Sequence, residues 1–261
     1  MANTKFEYVK TFEAATDAPL LPGCWIVVRI DGRGFTKFCE KHDFEKPSDH
    51  RALGLMNDAA CAVMEEFGDI RLAYGESDEY SFVLHKDTKL YGRRASKITS
   101  LVVSCFASAF VMGWPARFPG VQLAATPMFD ARAVLYPSDT ALRDYLAWRQ
   151  ADTHINTQYN TVFWALVRDG ATKEEAQAAL KGTVTAQKNE ILFSRFGINY
   201  NELPEIERKG TVIVRVREPV VVKMHPQTGE PVVRERARLV PRHDDIIGDA
   251  FWQEHPHVLA P

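Results

Sequence analysis

The chain has 261 residues, 32 Lys+Arg against 34 Asp+Glu, a formal charge of −2, and 46% hydrophobic and 25% charged residues. That balance belongs to a folded protein long enough for a full core and excludes disordered and fibrous classes. The most apolar stretch, residues 98–112, is broken by Ser100, Ser104 and Ser108, which argues against a membrane span, and residues 1–10 lack the apolar run of a signal peptide.

Trp25, Ile26, Val27, Val28, Arg29 and Ile30 form an apolar, β-branched run that reads as a buried strand and ends in the turn Asp31-Gly32-Arg33-Gly34. Cys24, Cys39, Cys61 and Cys105 stand too far apart for a thiolate zinc site and are expected as reduced thiols. Pro47, Ser48 and Asp49 open a helix with Ala52, Leu55, Met56, Ala59, Ala60, Val63 and Phe67 on its inner face and Gly68 as its stop. Residues 70–74 and 80–84 read as strands joined by a tight turn at Gly75-Glu76-Ser77-Asp78. A second helix is expected over residues 92–112, its serines forming a small-residue stripe laid against a sheet, and residues 129–136 supply another strand.

This β-α-β-β-α-β order predicts an α/β (α+β) fold of ferredoxin-like type. Its sheet is mainly antiparallel, both helices lie on one face, and the other face is open to a ligand. Beyond residue 137 the chain turns helical, with helices at 138–150, 155–167 and 184–196. A capping box at Thr172-Lys173-Glu174-Glu175 opens a short helix that ends near Gly182. Residues 211–222 and 232–240 read as a hairpin across Gln227-Thr228-Gly229-Glu230, and 245–254 as a closing helix. No repeat or linker interrupts the chain, so it divides into residues 1–137 and a helical and hairpin region, 138–261, packed on them. Between residues 208 and 242, nine Lys/Arg face three acids, a local excess that fits a phosphate backbone or a solvated strand face equally.

Asp31 ends the first strand, and Asp78 and Glu79 sit at the hairpin turn. Neighbouring strands would bring these carboxylates to one point, where they repel unless a cation lies between them. Oxygen donors of this kind suit Mg²⁺, with substrate phosphates completing the shell. Gly32 and Gly34 flank Arg33 in a turn that lets backbone approach a triphosphate, but neither a P-loop nor a dinucleotide fingerprint is present. Ser77 offers a hydroxyl beside Asp78. Arg93, Arg94 and Lys97 crowd a helix start, where cations are disfavoured unless an anion is bound, and Lys46 is a weaker case of the same kind. His154-Ile155-Asn156-Thr157-Gln158-Tyr159-Asn160 puts amides and an imidazole beside an apolar helical stripe, chemistry suited to base edges or phosphates. No G-x-S-x-G, H-E-x-x-H or Cys-His pair stands out.

Four segments carry a resemblance: residues 29–35 (Arg29, Ile30, Asp31, Gly32, Arg33, Gly34, Phe35), 74–82 around Ser77-Asp78-Glu79, 93–97, and 154–160. Together they resemble the tRNA(His) guanylyltransferase family, in its eukaryotic-type branch. The likeness continues through Lys188-Asn189-Glu190, Asn199-Tyr200-Asn201, Arg208-Lys209-Gly210-Thr211 and residues 245–252, so it spans essentially the whole chain.

The resemblance implies a polymerase-type palm in residues 1–137, working in the 3′-to-5′ direction, and a tRNA-contacting region in 138–261. ATP would adenylylate the 5′ end of tRNA(His), the 3′-hydroxyl of GTP would attack it, and pyrophosphate would be removed. It implies two Mg²⁺ ions held by Asp31, the carbonyl of Gly32, and Asp78, with Glu79 as a further catalytic acid. Asp31, Gly32, Arg33, Gly34, Phe35, Thr36, Ser77 and Asp78 would line the nucleotide, and Lys46, Arg93, Lys97 and Arg132 would meet its phosphates. Arg29, His154, Asn156, Asn160, Lys188 and Asn199 would serve tRNA or the activated end. The family also implies a homotetramer, a dimer of dimers, in the cytoplasm with a nuclear pool, and no membrane partner. Two competing readings are a non-catalytic RRM-like RNA-binding module, stacking bases on Tyr80 and Phe82, and a GGDEF-like nucleotide cyclase.

Overall fold

The computed structural model describes residues 4–224, 229 and 231–260. Its helices and strands, in chain order, begin with α1 (Lys10–Thr16), β1 (Trp25–Gly32), α2 (Phe35–Lys41), α3 (His50–Glu66), β2 (Ile70–Glu76), β3 (Glu79–Leu84), α4 (Ala95–Arg117) and β4 (Phe129–Tyr136). They continue with α5 (Asp139–Arg168), α6 (Lys173–Leu180), α7 (Thr185–Phe196), α8 (Glu205–Lys209), β5 (Thr211–Met224), β6 (Pro231–Arg242) and α9 (Ala250–Glu254). One sheet holds the strands in the order β4-β1-β3-β2-β5-β6, with every neighbouring pair antiparallel. The inner order 4-1-3-2 is that of the ferredoxin-like fold predicted from the sequence.

Alternation along β1 sets the two layers. Ile26, Val28 and Ile30 point to one face, where α3 and α4 seal a core with Leu55, Val63, Val102 and Phe106. Trp25 and Val27 point to the other face, against Leu142, Tyr145 and Leu146 of α5 and Ile246, Phe251 and Trp252 of the C-terminal segment. This second face is therefore covered, not open as the sequence reading expects. A strand apolar on both sides needs cover on both.

Asp49 caps α3 by accepting from the Arg51 N–H at 3.0 Å. Helix α4 buries Ile98, Val102, Phe106, Phe110 and Trp114, an i, i+4 stripe, while Ser100, Ser104 and Ser108 face outward. The serine stripe is thus not the packing face: bulky residues on the opposite side bury more apolar area. Helix α4 is long and apolar enough for a span by length and composition, which the serine-broken window did not anticipate; its inner stripe is committed to the core.

The two helices expected at 138–150 and 155–167 are one, α5 (Asp139–Arg168). Ser138 caps α5, accepting from the Ala141 N–H at 3.1 Å, and neither Gly nor Pro interrupts the chain near His154. At 1.5 Å per residue its 30 residues span about 45 Å. The first half crosses the sheet from Asp139, which accepts from Trp25 Nε1, to Thr153, which bonds the Tyr74 hydroxyl at 2.7 Å. The second half overhangs the strand ends and packs with α6 and α7 through Val162, Leu166, Leu180 and Leu192. The capping box of α6 forms as predicted, and α1, α2 and α8 are short helices that the sequence pattern does not reveal. Strand β5 pairs with β2 only over Thr211–Val214; beyond that it forms a ribbon with β6. Of the expected ribbon turn, Gln227, Thr228 and Glu230 lie outside the described residues.

Gly75 faces Tyr80 across the β2–β3 hairpin, and a Cβ there would lie 2.2 Å from the Tyr80 ring, whose hydroxyl donates to Asn57 Oδ1 at 2.7 Å. Gly75→Ala is expected to lower stability by about 1–3 kcal/mol through overpacking. A urea midpoint that does not move would exclude this close approach.

Candidate active site

Asp31 ends β1, Glu79 begins β3, and Ser77-Asp78 is the two-residue loop between β2 and β3. Register places Asp31 opposite Glu79 on one side and Asp130 of β4 on the other, and Glu76 opposite Glu79. Ser77 takes φ 48°, the left-handed conformation that costs a non-glycine residue about 1–2 kcal/mol. The Gly32 N–H donates to the Asp78 carbonyl at 3.1 Å, and a Cβ on Gly32 would stand 2.6 Å from Asp78 Oδ2. Glycine is required here because the Asp78 carboxylate fills the place of its side chain.

Burial, and then the charge of Asp31, push the Asp78 carboxyl up to about 6. Glu79 is also raised, chiefly by burial, against the lowering pull of Arg149 and Arg29. The two acids differ in their partners. Glu79 is tied to Arg149 at 2.7 Å and lies 3.8 Å from Arg29, whereas among the described residues Asp31 and Asp78 have no ion pair. Two converging carboxylates without a counter-charge are a donor set that fits a divalent ion, and Gly32 supplies the adjacent carbonyl. Among the described residues no three His, Cys, Asp or Glu side chains form a metal cage. The remaining positions around an ion would fall to phosphate oxygens and water.

Beyond Asp31 and Gly32, the Arg33 N–H donates to Met128 O at 2.8 Å, and Gly34 at φ 65° turns the chain into α2. Arg33 and Thr36 are exposed, while Phe35 is core, stacked on Phe38 at 5.1 Å. A cleft of about 120 Å³ opens beside Ser77, lined among others by Phe35, Phe44, Lys46, Asn156 and Asn160. The Lys46 ammonium lies 5.8 Å from the centre of the Trp164 ring. Arg29 and Arg132 are cross-strand partners on the α5 side of the sheet, and Arg132 pairs with Asp130 at 3.0 Å. Arg29 Nε is buried with no hydrogen-bond partner.

His154 Nδ1 bonds the Tyr200 hydroxyl at 2.9 Å. Burial, then Arg208, lower the His154 pKa, so the imidazole is neutral at pH 7. Asn156 donates to Asp152 Oδ2 at 3.3 Å. Gln158, on the other flank of α5, is buried against Asn189.

Arg93, Lys97 and Lys188 are not brought to this cluster. The Arg93 guanidinium is buried and donates to the carbonyls of Leu20, Leu21, Cys24, Lys86 and Thr88. Those carbonyls surround the start of β1, roughly 20 Å along the strand from Asp31. Lys97, over the Tyr91 ring at 4.8 Å, begins α4 at that same far end. The order β3-α4-β4 dictates this, because β3 runs away from the carboxylates before α4 starts. Lys188 is buried, its ammonium donating to Thr183 O at 2.8 Å. Asn199 caps a short turn, accepting from the Asn201 N–H at 3.1 Å. Tyr80 and Phe82 are fully buried in the α3–α4 core, so no base-stacking platform of the RRM kind exists there.

Sequence reasoning missed Arg149, the partner of Glu79. Its only advance signal is that two acids on adjacent buried strands, Glu76 and Glu79, need a cation from elsewhere in the chain.

A family model described as tRNAHis guanylyltransferase matches residues 6–137, and one described as the Thg1 C terminal domain matches residues 140–248. The probable tRNA(His) guanylyltransferase of Mus musculus is 54% identical over 100% of this chain and 89% of its own length. The tRNA(His) guanylyltransferase of Schizosaccharomyces pombe is 54% identical over 99% of this chain and 98% of its own. The crystal structure of the Saccharomyces cerevisiae tRNA(His) guanylyltransferase is 46% identical, with a TM-score of 0.76 over 80% of this chain and 93% of that one.

Proposed function

The chain belongs to the tRNAHis guanylyltransferase family, and from that premise we propose how its residues add a guanosine to the 5′ end of tRNA(His). As a member it is a nucleotidyltransferase. In the proposed sequence, a 5′-phosphate oxygen of the tRNA attacks the α-phosphorus of ATP and pyrophosphate leaves. The GTP 3′-hydroxyl then attacks the adenylylated 5′-phosphorus and AMP leaves. Pyrophosphate is finally removed from the new end.

Chemistry of this kind depends on positioning and charge neutralisation and needs no protein nucleophile. Asp31, Asp78 and the Gly32 carbonyl would hold two Mg²⁺ ions. Bound there, magnesium supplies charge neutralisation for the triphosphate and the departing pyrophosphate. Arg33, Gly34, Thr36, Ser77, Lys46 and Arg132 orient the triphosphate, and the cleft beside Ser77 receives the nucleoside. Arg29, His154, Asn156 and Asn160 orient the tRNA end. The observation that carries this reading is the placement of Asp31 and Asp78 at neighbouring strand ends, the Asp78 carboxylate packed against Gly32 and neither acid in an ion pair among the described residues.

A palm of residues 1–137, a tRNA-contacting region of 138–261, a homotetramer and a cytoplasmic location with a nuclear pool belong to the same proposal. The test is Mg²⁺-dependent transfer of labelled GTP to the 5′ end of tRNA(His), with tRNA(Phe) as control. Equal labelling of both RNAs, or labelling without a divalent ion, would refute it.

A finer prediction concerns His154. With Nδ1 bonded to the Tyr200 hydroxyl, the neutral imidazole has Nε2 left for one further hydrogen bond, worth about 1.5 kcal/mol and hence about tenfold. His154→Ala is therefore expected to slow guanosine transfer about tenfold more than adenylylation, measured in single turnovers with 5′-labelled tRNA. Equal losses in the two steps would remove His154 from the activated end.

A further inference from the structure

Arg149 lies on α5 just before the polar stretch at His154 and is 6% exposed. Its Nε donates to Glu79 Oε1 at 2.7 Å, and its Nη2 donates to Glu79 Oε2 at 3.2 Å, Glu76 Oε1 at 3.1 Å and Asp152 Oδ2 at 3.0 Å. The guanidinium also lies 4.4 Å from the centre of the Trp148 ring. Three carboxylates thus share one buried cation. As a stabilising device this is poor, because each charge taken out of water costs more than a lopsided cluster returns. Its effect is geometric. Glu76 and Glu79 are the cross-strand pair that closes the Ser77–Asp78 loop, so a single planar fork pins both ends of the loop that carries Asp78.

We propose that Arg149 is a positioning residue for nucleotidyl transfer, clamping the Ser77–Asp78 loop so that the Asp78 carboxylate stays beside Gly32 and opposite Asp31. Asp152 extends the clamp: its Oδ2 accepts from both Arg149 Nη2 and Asn156 Nδ2, the latter at 3.3 Å. The Asn156 amide that lines the cleft and the guanidinium that holds the loop therefore share one carboxylate, which couples the seating of the RNA end to the placement of Asp78. Lysine cannot reproduce the fork, since it offers a point charge in place of two parallel N–H donors.

The proposal rests on the reading of Asp31 and Asp78 as metal ligands, and its test separates the two. Arg149→Gln is expected to lower kcat about 100-fold, the cost of misplacing a reacting group by about 1 Å, with KM for GTP changed less than about threefold. Mn²⁺ binding to the RNA-free protein, followed by electron paramagnetic resonance, is expected to weaken about tenfold, as for loss of a partner one step behind a ligand. Arg149→Lys is expected to fall between wild type and Arg149→Gln in both measurements, and Asp152→Asn to lose about tenfold in kcat at an unchanged melting temperature.

Wild-type kcat and Mn²⁺ affinity in a folded Arg149→Gln or Arg149→Lys protein would overturn the clamp. So would losses that merely follow the folded fraction. If Arg149→Gln does not fold, Arg149→Lys and Asp152→Asn carry the same test. An active Asp31→Ala protein would instead refute the metal reading itself.

Discussion

Replacing Asp31 or Asp78 with alanine is expected to abolish adenylylation and guanosine addition together while leaving a folded protein. The two carboxylates come from different strand ends and among the described residues neither has an ion pair, whereas the neighbouring acids Glu79 and Asp130 are committed to Arg149 and Arg132 and do not replace them. Losing a group one step behind a metal ligand typically costs 10–100-fold, so losing the ligand should cost more than about 1000-fold.

The stability effect should run the other way. Raising the Asp78 carboxyl from 3.8 to about 6 costs its charged form about 3 kcal/mol in the metal-free fold. A raised folded value means the native state holds the proton more tightly than the unfolded chain. Stability from this group is therefore full below pH 3.8 and is lost as pH rises through about 6. Metal-free Asp78→Asn should accordingly melt higher than wild type at pH 7, and the gain should shrink toward pH 4. An inactive variant that is also less stable at pH 7 would place Asp78 in the architecture instead of the chemistry.

The second large effect is expected at Gly32. A methyl there would meet Asp78 Oδ2 at 2.6 Å and the Phe35 ring at 2.8 Å, so Gly32→Ala must push the carboxylate, the ring or both aside. Phe35 belongs to the same core as Ile26, Val28 and Ile30, so moving its ring costs some stability, but the rest of that core lies further back along β1, away from the new methyl. Gly32→Ala is thus expected to fold, to lose about 100-fold in kcat through displacement of Asp78 by about 1 Å, and to bind Mn²⁺ more weakly. Unchanged kcat would show that the close approach of Gly32 and Asp78 has no part in catalysis.

These expectations were reachable from the sequence to differing degrees. The β-α-β-β-α-β order was legible because short apolar, β-branched runs and a capped amphipathic helix are local signals, and Asp31, Asp78 and Glu79 follow from where those strands end. The covered second face was legible in principle, since Trp25 and Val27 alternate with Ile26 and Val28, and both sets are apolar. Arg93 and Lys97 read locally as an anion site because cations at a helix start call for a counter-charge. Only topology reveals that this helix starts at the opposite end of the sheet, where backbone carbonyls consume the Arg93 guanidinium. Glu76 and Glu79 call for a cation, but nothing local picks out Arg149 as its source: those two partners lie about 70 residues upstream, and Asp152 stands at an ordinary helical spacing that does not mark the guanidinium as buried. Glu79 was recognised as an acid of the site, but its tie to Arg149 is a tertiary fact.

The account stands most directly on where divalent ions bind. Crystals grown with Mn²⁺ and GTP, with anomalous diffraction collected at the manganese edge, should show ions between the carboxylates of Asp31 and Asp78, in contact with the triphosphate. Manganese bound elsewhere, with the Asp31 and Asp78 side chains turned apart, would contradict it.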